Sequence, residues 1–490
     1  MGFYVLGGFS EMDKDNNGQN DQPTDEKEPS DETQVEYREI SEEQLKQILE
    51  DHKKWVDSDG KEGGRADLSR ANLQQADLEE ANLQRAIISG ANLQQADLEE
   101  ANLQQAYFTN ANLQKANLRY ANLGAAIISI NNFKEADLRD ANLQQADLRG
   151  ANLQEALLFN ANLQQADLSG ANLQKAYLSE VNLQKAGLLG ANLQDAILDK
   201  ANLQQAVLRD ANLKEAVLSE ANLKEAVLGD VNMQQAELDK ANLQQAVLRN
   251  VNLQEAILSE SNLQESDLNG ANMQGAILQE ANLHRADLSK ANLQNTVLDG
   301  IQSLSTANLR YAKLEGATGL LGNEFAQADV TGTKLPDDIK DFKALEIVKE
   351  TSQNARKIFF AMLLGCVYSW LTIATTTDVR LLTNTASSPL PIIGTEIPIA
   401  WFYIAAPLVL ICLYFYFHLY LDNLWEGLGS LPAIFPDGKR LDQRAYPWLL
   451  NTLVRKYVKR LKKRSFIARM KEWITIFLAW WVVPITMIAF

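Results

Sequence analysis

Residues 66–75 read Ala66-Asp67-Leu68-Ser69-Arg70 and Ala71-Asn72-Leu73-Gln74-Gln75, and this five-residue unit decides the fold. The unit recurs without a change of register over residues 66–300, so 235 residues form 47 units. A helix advances about 100° per residue and would spread the repeated Ala and Leu around its whole circumference. A flat strand would send successive Leu side chains to opposite faces, because side chains alternate and five is odd. The chain must therefore turn once in every unit.

A unit built from a three-residue bridge and a two-residue corner places its first and third side chains on the inside. The repeated Ala and Leu then form a core, while the second, fourth and fifth residues, mostly Asn, Asp, Gln and Glu, face outward. Turning the same way in every unit winds a solenoid whose coils stack about 4.8 Å apart through backbone hydrogen bonds. The period does not give the number of sides in a coil, although a ten-residue superperiod favours an even number.

The motif Ala-Asp/Asn-Leu-x-x resembles the repeat of the pentapeptide-repeat family. The resemblance implies an all-β fold, a right-handed quadrilateral β-helix with four units in each coil. About twelve coils at strand spacing would make a rod roughly 57 Å long. The register breaks after Gly300, resumes one residue late at Ala307-Asn308-Leu309 and fades before Pro336, so we expect the β-helix to cover residues 66–336.

The segments on either side of the repeat have different compositions. Residues 1–40 are rich in acidic and other polar residues, which predicts a disordered acidic tail. Residues 41–65 are predicted to contain a helix that caps the solenoid, because Ser41 and Gln44 have the spacing of a capping box. Residues 337–356 are predicted to form a helical linker.

The last third of the chain contains three apolar segments, near residues 357–375, 399–421 and 473–490. Each is about long enough for a transmembrane α-helix, and Trp370, Trp401 and Trp473 lie within or at the ends of these segments. Residues 357–490 are therefore predicted to be a membrane anchor. A buried helical hairpin of a soluble domain is the alternative interpretation.

The distribution of basic residues predicts the orientation of this anchor. Residues 422–472 hold twelve Lys and Arg, whereas residues 376–398 hold only Arg380. The positive-inside rule then places the basic loop and the β-helix in the cytoplasm. The C-terminal third resembles the membrane-anchoring regions joined to some bacterial pentapeptide-repeat proteins, which implies a bacterial plasma or internal membrane. A basic amphipathic stretch in this loop is predicted to contact anionic lipid, with a stop-transfer role as the alternative. Its cations are Lys456, Lys459, Arg460, Lys462, Lys463 and Arg464.

Charge and residue usage exclude several classes of function. The net charge is −17, divided as −10 over residues 1–65, −13 over residues 66–300 and +6 over residues 301–490, so direct nucleic-acid binding is not expected. With two Cys and three His the chain predicts neither a disulfide framework nor a zinc site, and no cofactor. Phosphate-loop and hydrolase motifs are missing, so we expect a protein that is not an enzyme.

If each coil has four units, as the resemblance implies, sorting the second position of the units by twenty residues predicts an apolar strip on the outside of the rod. We interpret it as a docking surface for an unidentified protein partner, with the preference of β-branched residues for extended backbone as the alternative. A second face is predicted to carry Val207, Val227 and Val247. The strip, interrupted by Glu237, consists of Leu157, Tyr177, Ile197, Val217, Ile257, Ile277 and Val297.

Together these features predict a non-enzymatic, membrane-anchored scaffold whose partners are a protein and membrane lipids. Self-association into a homo-oligomer is compatible with the same strip. The alternative starts from the acidic rows of the first units, such as Asp77, Glu79 and Glu80. Some members of the pentapeptide-repeat family imitate DNA, so the resemblance also implies an acidic DNA mimic that binds and inhibits a DNA gyrase-type topoisomerase.

Overall fold

The computed structural model describes residues 36–302, 304–337, 339, 342–376, 387–389, 396–445 and 473–489. Residues 1–35, which make up most of the predicted tail, lie outside this range. So do the six cations predicted to contact lipid, Lys456, Lys459, Arg460, Lys462, Lys463 and Arg464.

The repeat forms a four-sided solenoid. The residue at the second position of each unit pairs in parallel with the residue twenty positions later, from Asp67↔Ile87 to Ile277↔Val297. Twenty residues are four units, so the predicted quadrilateral coil is confirmed. We number the sides 1 to 4 in chain order, beginning with Asp67, Asn72, Asp77 and Asn82.

The core of the solenoid consists of the first and third residues of the units. Leu168 and its equivalents are fully buried, as are Phe108 and Phe133, which replace Leu. Polar replacements of Ala are tolerated where they find a backbone partner: the Ser261 hydroxyl donates to the Leu258 carbonyl at 2.7 Å. The predicted inward direction of the Ala and Leu rows is therefore confirmed.

Each corner of the coil is a tight turn. In the first unit the Ala71 N–H donates to the Leu68 carbonyl at 3.1 Å, and Arg70 has a φ of 53°. A positive φ at the third turn residue is the mark of a type II turn. The fifth residue of nearly every unit, glycine or not, lies in this left-handed region.

The N-terminal end of the solenoid is covered by strand β1 (Arg38–Glu39) and helix α1 (Glu42–Asp57). The predicted capping box is confirmed: the Gln44 N–H donates to the Ser41 hydroxyl, and the Ser41 N–H donates to the Gln44 side chain. β1 pairs in parallel with β2 (Ala71–Asn72). The predicted disordered tail of residues 1–40 must therefore be corrected at its end, because the backbone edge of the first coil gives Arg38 and Glu39 a strand to pair with.

The C-terminal end of the solenoid follows the register break. Pairing continues at a spacing of 21 residues, from Asp287↔Asn308 to Lys313↔Lys334, and a 3₁₀ turn spans Gly322–Phe325. The coil does not end with residue 336 as predicted. Ile434 adds a further parallel bridge to Asp329, and the Val330 N–H donates to the Ile434 carbonyl at 3.0 Å.

The apolar segments form long helices whose bounds differ from the prediction. Helix α2 (Lys343–Thr375) merges the predicted linker with the first predicted span, because no proline interrupts it. Strands β3 (Ser387–Pro389) and β4 (Glu396–Pro398) pair antiparallel before helix α3 (Ile399–Gly429). Both α2 and α3 contain segments that are long and apolar enough to cross a membrane, at Ala344–Thr375 and Trp401–Gly429.

The prediction of a single basic loop over residues 422–472 is wrong for its first part, which forms regular structure. Its first residues still belong to α3, and residues 431–436 then form the added rung of the solenoid before the short helix α4 (Leu441–Arg444). Helix α5 (Trp473–Ala489) includes a π-helical turn at Phe477–Trp481. In the rung, the side chains of Ala433 and Phe435 are buried. A loop extended into solvent would leave both exposed to water, so their burial stabilises the rung.

Helices α2 and α3 pack as an antiparallel pair. A Cβ atom built on Gly365 would lie 2.9 Å from Leu410 Cδ2, and one built on Gly427 would lie 2.9 Å from Val348 Cγ2. Between these points the rings of Phe359 and Phe417 are 5.5 Å apart. Glycine at two crossings therefore lets the helices approach closely, as small residues do in membrane helix pairs.

Candidate interaction surfaces

The second position of each unit decides the chemistry of a side. Where it is Asn or Asp, the side-chain oxygen accepts the N–H of the residue two positions later, as Asn72 does from Gln74 and Asp67 from Ser69. Asn residues also form ladders between coils: Asn142 Nδ2 donates to Asn122 Oδ1 at 3.0 Å. Sides 2 and 4 carry Asn in nearly every coil and are therefore polar surfaces that satisfy their own hydrogen bonds.

Side 3 carries the predicted apolar strip. Parallel bridges join Leu157, Tyr177, Ile197 and Val217 in sequence, and continue through Glu237 to Ile257, Ile277 and Val297. Tyr177 is 48% exposed, while the aliphatic members are half-buried by their neighbours in the ladder. The seven residues therefore do lie in one row on the same side, interrupted by Glu237, and their role in binding stays a prediction.

Side 1 has two apolar patches. The predicted one, Val207–Val227–Val247, is a continuous ladder. Sequence reasoning missed the other, Ile87–Tyr107–Ile127, although sorting the first units by twenty would have found it. The guanidinium of Arg65 lies 5.1 Å from the centre of the Tyr107 ring. One face of the Tyr107 ring is therefore already covered by the Arg65 side chain of the same chain.

The acidic residues of the first coils lie beside side 3 and its corner. Desolvation raises the pKa of Glu79, and the carboxylates of Asp97 and Asp77 raise it further. One coil later, Arg119 lies 3.7 Å from a Glu99 carboxylate oxygen, so the acidic surface ends there. Among the residues that the structure describes, no group of three or more Asp, Glu, His or Cys is placed to hold a metal ion.

Arginine–carboxylate pairs continue along the middle of the rod. Arg139 donates to Asp137 with a shortest N–O distance of 2.5 Å, and Arg149 contacts Asp147 at 2.6 Å. Hydrogen bonding to Arg149 lowers the pKa of Asp147. These carboxylates are therefore neutralised in place, and they present little free negative charge to a partner.

The C-terminal helices bring aromatic residues around His418. Its ring centre lies 4.4 Å from that of Tyr414 and 5.6 Å from that of Trp480, and Trp480 stacks on Trp425. His418 thus lies on α3, and its ring packs against Tyr414 of the same helix and Trp480 of α5. We assign it a packing role.

The solenoid is similar to a known protein family and to solved structures. The model of the pentapeptide repeats family matches a series of segments from residues 66–105 to residues 256–295, with a gap only at residues 130–131. The structure of HetL, a pentapeptide repeat protein involved in heterocyst differentiation regulation from the cyanobacterium Nostoc sp. strain PCC 7120, is 34% identical over 52% of this chain and 92% of HetL, with a TM-score of 0.25. The chain belongs to the pentapeptide repeat family.

Two further structures are similar to this pentapeptide repeat protein at lower identity. QnrB1, a plasmid-mediated fluoroquinolone resistance protein, is 18% identical over 41% of this chain and 90% of QnrB1, with a TM-score of 0.23. A pentapeptide repeat protein from the Arabidopsis thaliana thylakoid lumen is 24% identical over 26% of this chain and 72% of its own, with a TM-score of 0.15. No curated protein sequence matches the chain.

Proposed function

We propose that this pentapeptide repeat protein is a non-enzymatic scaffold that is anchored in a membrane and presents its β-helix to a protein partner in the cytoplasm. The observation that carries the proposal is the row on side 3. There, apolar side chains replace the Asn or Asp that elsewhere accept a backbone N–H within the unit, as Asn192 does from Gln194. An apolar residue cannot accept that bond, which contributes roughly 0.5–1.5 kcal/mol.

Seven coils lack this hydrogen bond on the same side. Because the apolar residues there do not serve the hydrogen bonding of the solenoid, their recurrence supports a role in binding. A β-branched residue suits extended backbone, but the Asn ladders of sides 2 and 4 form the same backbone without one. An apolar row with polar sides around it is typical of protein interaction sites, and this row is interrupted once, by Glu237. The partner we propose is a protein with an apolar ridge that lies along the rod.

The membrane part of the proposal is supported by the outer surfaces of the C-terminal helices. Leu364 and Val367 on α2 and Trp401, Ile404 and Leu408 on α3 are each more than half exposed. A soluble domain would expose this apolar surface to water, whereas lipid would cover it. Two helices of this length and composition therefore suit an anchor, with the β-helix on the cytoplasmic side.

A crosslinking experiment in native membranes tests the scaffold. A photoreactive amino acid replaces Ile257 on side 3, and a matched control carries it at Gln264, on the corner between sides 4 and 1. We expect a discrete adduct from the Ile257 probe and none from the Gln264 probe. Equal labelling from both positions, or no adduct from either, would contradict the proposal.

The DNA-mimic alternative has no specific support in the structure. Its acidic rows are interrupted by Arg119, Arg139 and Arg149, each next to a carboxylate. A DNA mimic needs unpaired negative charge along a continuous surface. Inhibition of gyrase supercoiling by the full-length protein would nevertheless revive it.

A further inference from the structure

The two ends of the β-helix are closed to different degrees. At the C-terminal end the residues 431–436 add a rung, and Phe325 and Phe435 are fully buried. At the N-terminal end, β1 pairs with side 2, and the Ala66 N–H of side 1 donates to His52 Nδ1 at 3.0 Å. None of the residues that the structure describes pairs its backbone with the outer edge of sides 3 and 4 of the first coil.

The uncovered sides present an open strand edge. In later coils this edge is paired: the Asp97 N–H donates to the Ala76 carbonyl at 2.9 Å, and the Leu78 N–H donates to the Asp97 carbonyl at 2.7 Å. In the first coil the equivalent N–H and C=O groups of Asp77 and Asn82 have no backbone partner among the described residues. A strand edge of this kind is a template for another extended chain.

A groove of about 680 Å³ lies over this edge. One wall is the apolar face of the segment that enters and forms α1, with Ile40, Leu45 and Leu49, and the floor includes Ala76 and Ala81. These two Ala are only partly buried, whereas the later Ala of the same rows are fully buried. The groove therefore occupies the place that the side chains of a preceding coil would fill.

We propose that this groove binds an extended peptide of a partner protein, which adds one rung to sides 3 and 4 by pairing with Asp77 and Asn82. The stacking interface of the solenoid itself defines the chemistry of that peptide. Each strand must place a small residue first, in most units an apolar one, and a large apolar residue third, as the units of this chain do. This mode is β-augmentation beside a helix, in which backbone bonds give affinity and alternate side chains give specificity.

Charge defines the middle residue of the peptide on side 3. That residue would lie next to the carboxylates of Asp77, Glu79 and Asp97, where burial of a further negative charge is unfavourable. The cations that line the groove, Lys46 and Lys53, belong to α1 on the other wall. Within the same ladder Asn117 donates from its amide to Asp97 at 2.9 Å, which shows that a donor side chain fits. A Lys or an amide at this position therefore complements the site. The surface used differs from the side-3 strip, so the inference goes beyond the proposed function.

The test uses the full-length protein in lipid nanodiscs and a labelled synthetic peptide, acetyl-Ala-Lys-Leu-Gln-Gly-Ala-Asn-Leu-amide, whose Gly supplies the left-handed corner residue. Fluorescence anisotropy measures its affinity. We expect saturable binding and at least a tenfold weaker affinity for a peptide with Glu in place of the Lys. We also expect slower hydrogen exchange at the Asp77 and Asn82 amides when the peptide is present.

Two variants locate the binding. Asp77→Pro removes the free N–H together with the side-chain oxygen that accepts the Glu79 N–H at 3.2 Å. Asp77→Ala loses the same side-chain bond but keeps the free N–H, so it is the matched control. Relative to Asp77→Ala, Asp77→Pro should lower the affinity about tenfold, the effect of one lost hydrogen bond in a binding constant. Ala76→Leu fills the groove with an apolar side chain and gives a second, independent block if the proline variant unfolds.

Specific outcomes would overturn the proposal. One is the absence of binding to the wild-type protein at millimolar peptide. Another is equal binding to the wild type, Asp77→Pro and Ala76→Leu. A concentration-dependent dimer that Asp77→Pro abolishes would also overturn it, because a second copy would then occupy the edge. Crosslinking at Ile257 is unaffected by any of these results, so the two proposals fail separately.

Discussion

Single residues in this protein act through their position within a unit. An Asn at the second position accepts a backbone N–H of its own corner with its side-chain oxygen and donates from its amide nitrogen to the Asn of the preceding coil, whereas a Val or Ile at the same position does neither. The third position is sealed in the core, and the fifth carries a positive φ. The same residue type therefore has a different effect at each position.

The third position should be the most sensitive to truncation. Leu168→Ala removes a fully buried side chain, and we expect a loss of about 2–5 kcal/mol in the free energy of unfolding, because the stacked coils restrict collapse of the cavity. Leu189→Ala, which truncates a Leu that is 49% exposed, is the control and should cost no more than about 0.5 kcal/mol. Denaturant unfolding measures both. Equal losses in the two variants would contradict the inward assignment.

The corner glycines should differ from glycines elsewhere in the unit. Gly190 has a φ of 63° and open space around its Cα, so Gly190→Ala should destabilise the protein by about 1 kcal/mol through backbone strain alone. Gly229 is at a fourth position without a positive φ, and Gly229→Ala should be neutral or slightly stabilising. Melting temperatures of the two variants test this difference. A lower melting temperature for Gly229→Ala would count against it.

His52 should make the N-terminal cap sensitive to acid. Burial lowers the pKa of His52, and its Nδ1 accepts the Ala66 N–H only when the ring is neutral. The unfolded state therefore binds a proton more readily than the folded state, so stability is present above about pH 6.5 and falls as the pH drops below it, by at most about 1.4 kcal/mol per pH unit.

Hydrogen exchange at the Ala66 amide between pH 7.5 and pH 5, corrected for the intrinsic rate, measures this loss. The His52→Gln variant should have lost the pH dependence, while His284→Gln, which changes a residue on the outside of the rod, should retain it. Unchanged protection of the wild-type amide at pH 5 would show that the proton does not reach His52.

At the scale of elements, the packing of α2 against α3 depends on two points where a glycine of one helix contacts a side chain of the other. Gly365 faces Leu410 and Gly427 faces Val348, and the rings of Phe359 and Phe417 fill the space between these contacts. The crossings fix the register of the hairpin, because a shift of one residue would place a larger side chain where each glycine lies.

Enlarging one crossing should separate the helices. We expect Gly365→Leu to destabilise the hairpin by about 1–3 kcal/mol through overpacking against Leu410. Adding Leu410→Ala should restore much of that loss, because it removes the atoms that the new side chain meets. Distances between spin labels on α2 and α3 report the separation. A Gly365→Leu protein with the wild-type distance would argue against this contact.

At the scale of the whole molecule, the chain leaves the β-helix, forms the helical hairpin and returns to close the same β-helix. The Ala433 N–H donates to the Ala328 carbonyl, and the Gly332 N–H donates to the Pro436 carbonyl, each within 3 Å. Phe342, which precedes α2, packs edge-on against Phe325 and Phe435. The β-helix and the hairpin are thus joined by two chain segments, which restricts how the rod can tilt against the helices.

Breaking the returning rung should release this joint. Ala433→Pro removes the bond to Ala328, and we expect faster hydrogen exchange at Val330 and Gly332 and a broader distribution of distances between the rod and the hairpin. Pro436→Ala keeps the carbonyl that Gly332 uses and should leave both unchanged. Wild-type exchange at Val330 in the Ala433→Pro variant would mean that the rung does not depend on this bond.

The sequence alone determined the solenoid and its inward rows. A five-residue period admits only a chain that turns once per unit, and the local pattern then fixes which side chains face the core. The stacking of the side-3 strip also needed four units in each coil, which the family resemblance implied and the pairing at twenty residues confirms. The sequence predicted a capping helix at one end, but only the tertiary structure decided which residues close each end. The rung at Ile434 and the burial of His52 join residues far apart in the sequence, and no periodicity links them. Residues outside a repeat find their partners through the edge that the repeat leaves open, and that edge exists only once the coils have stacked.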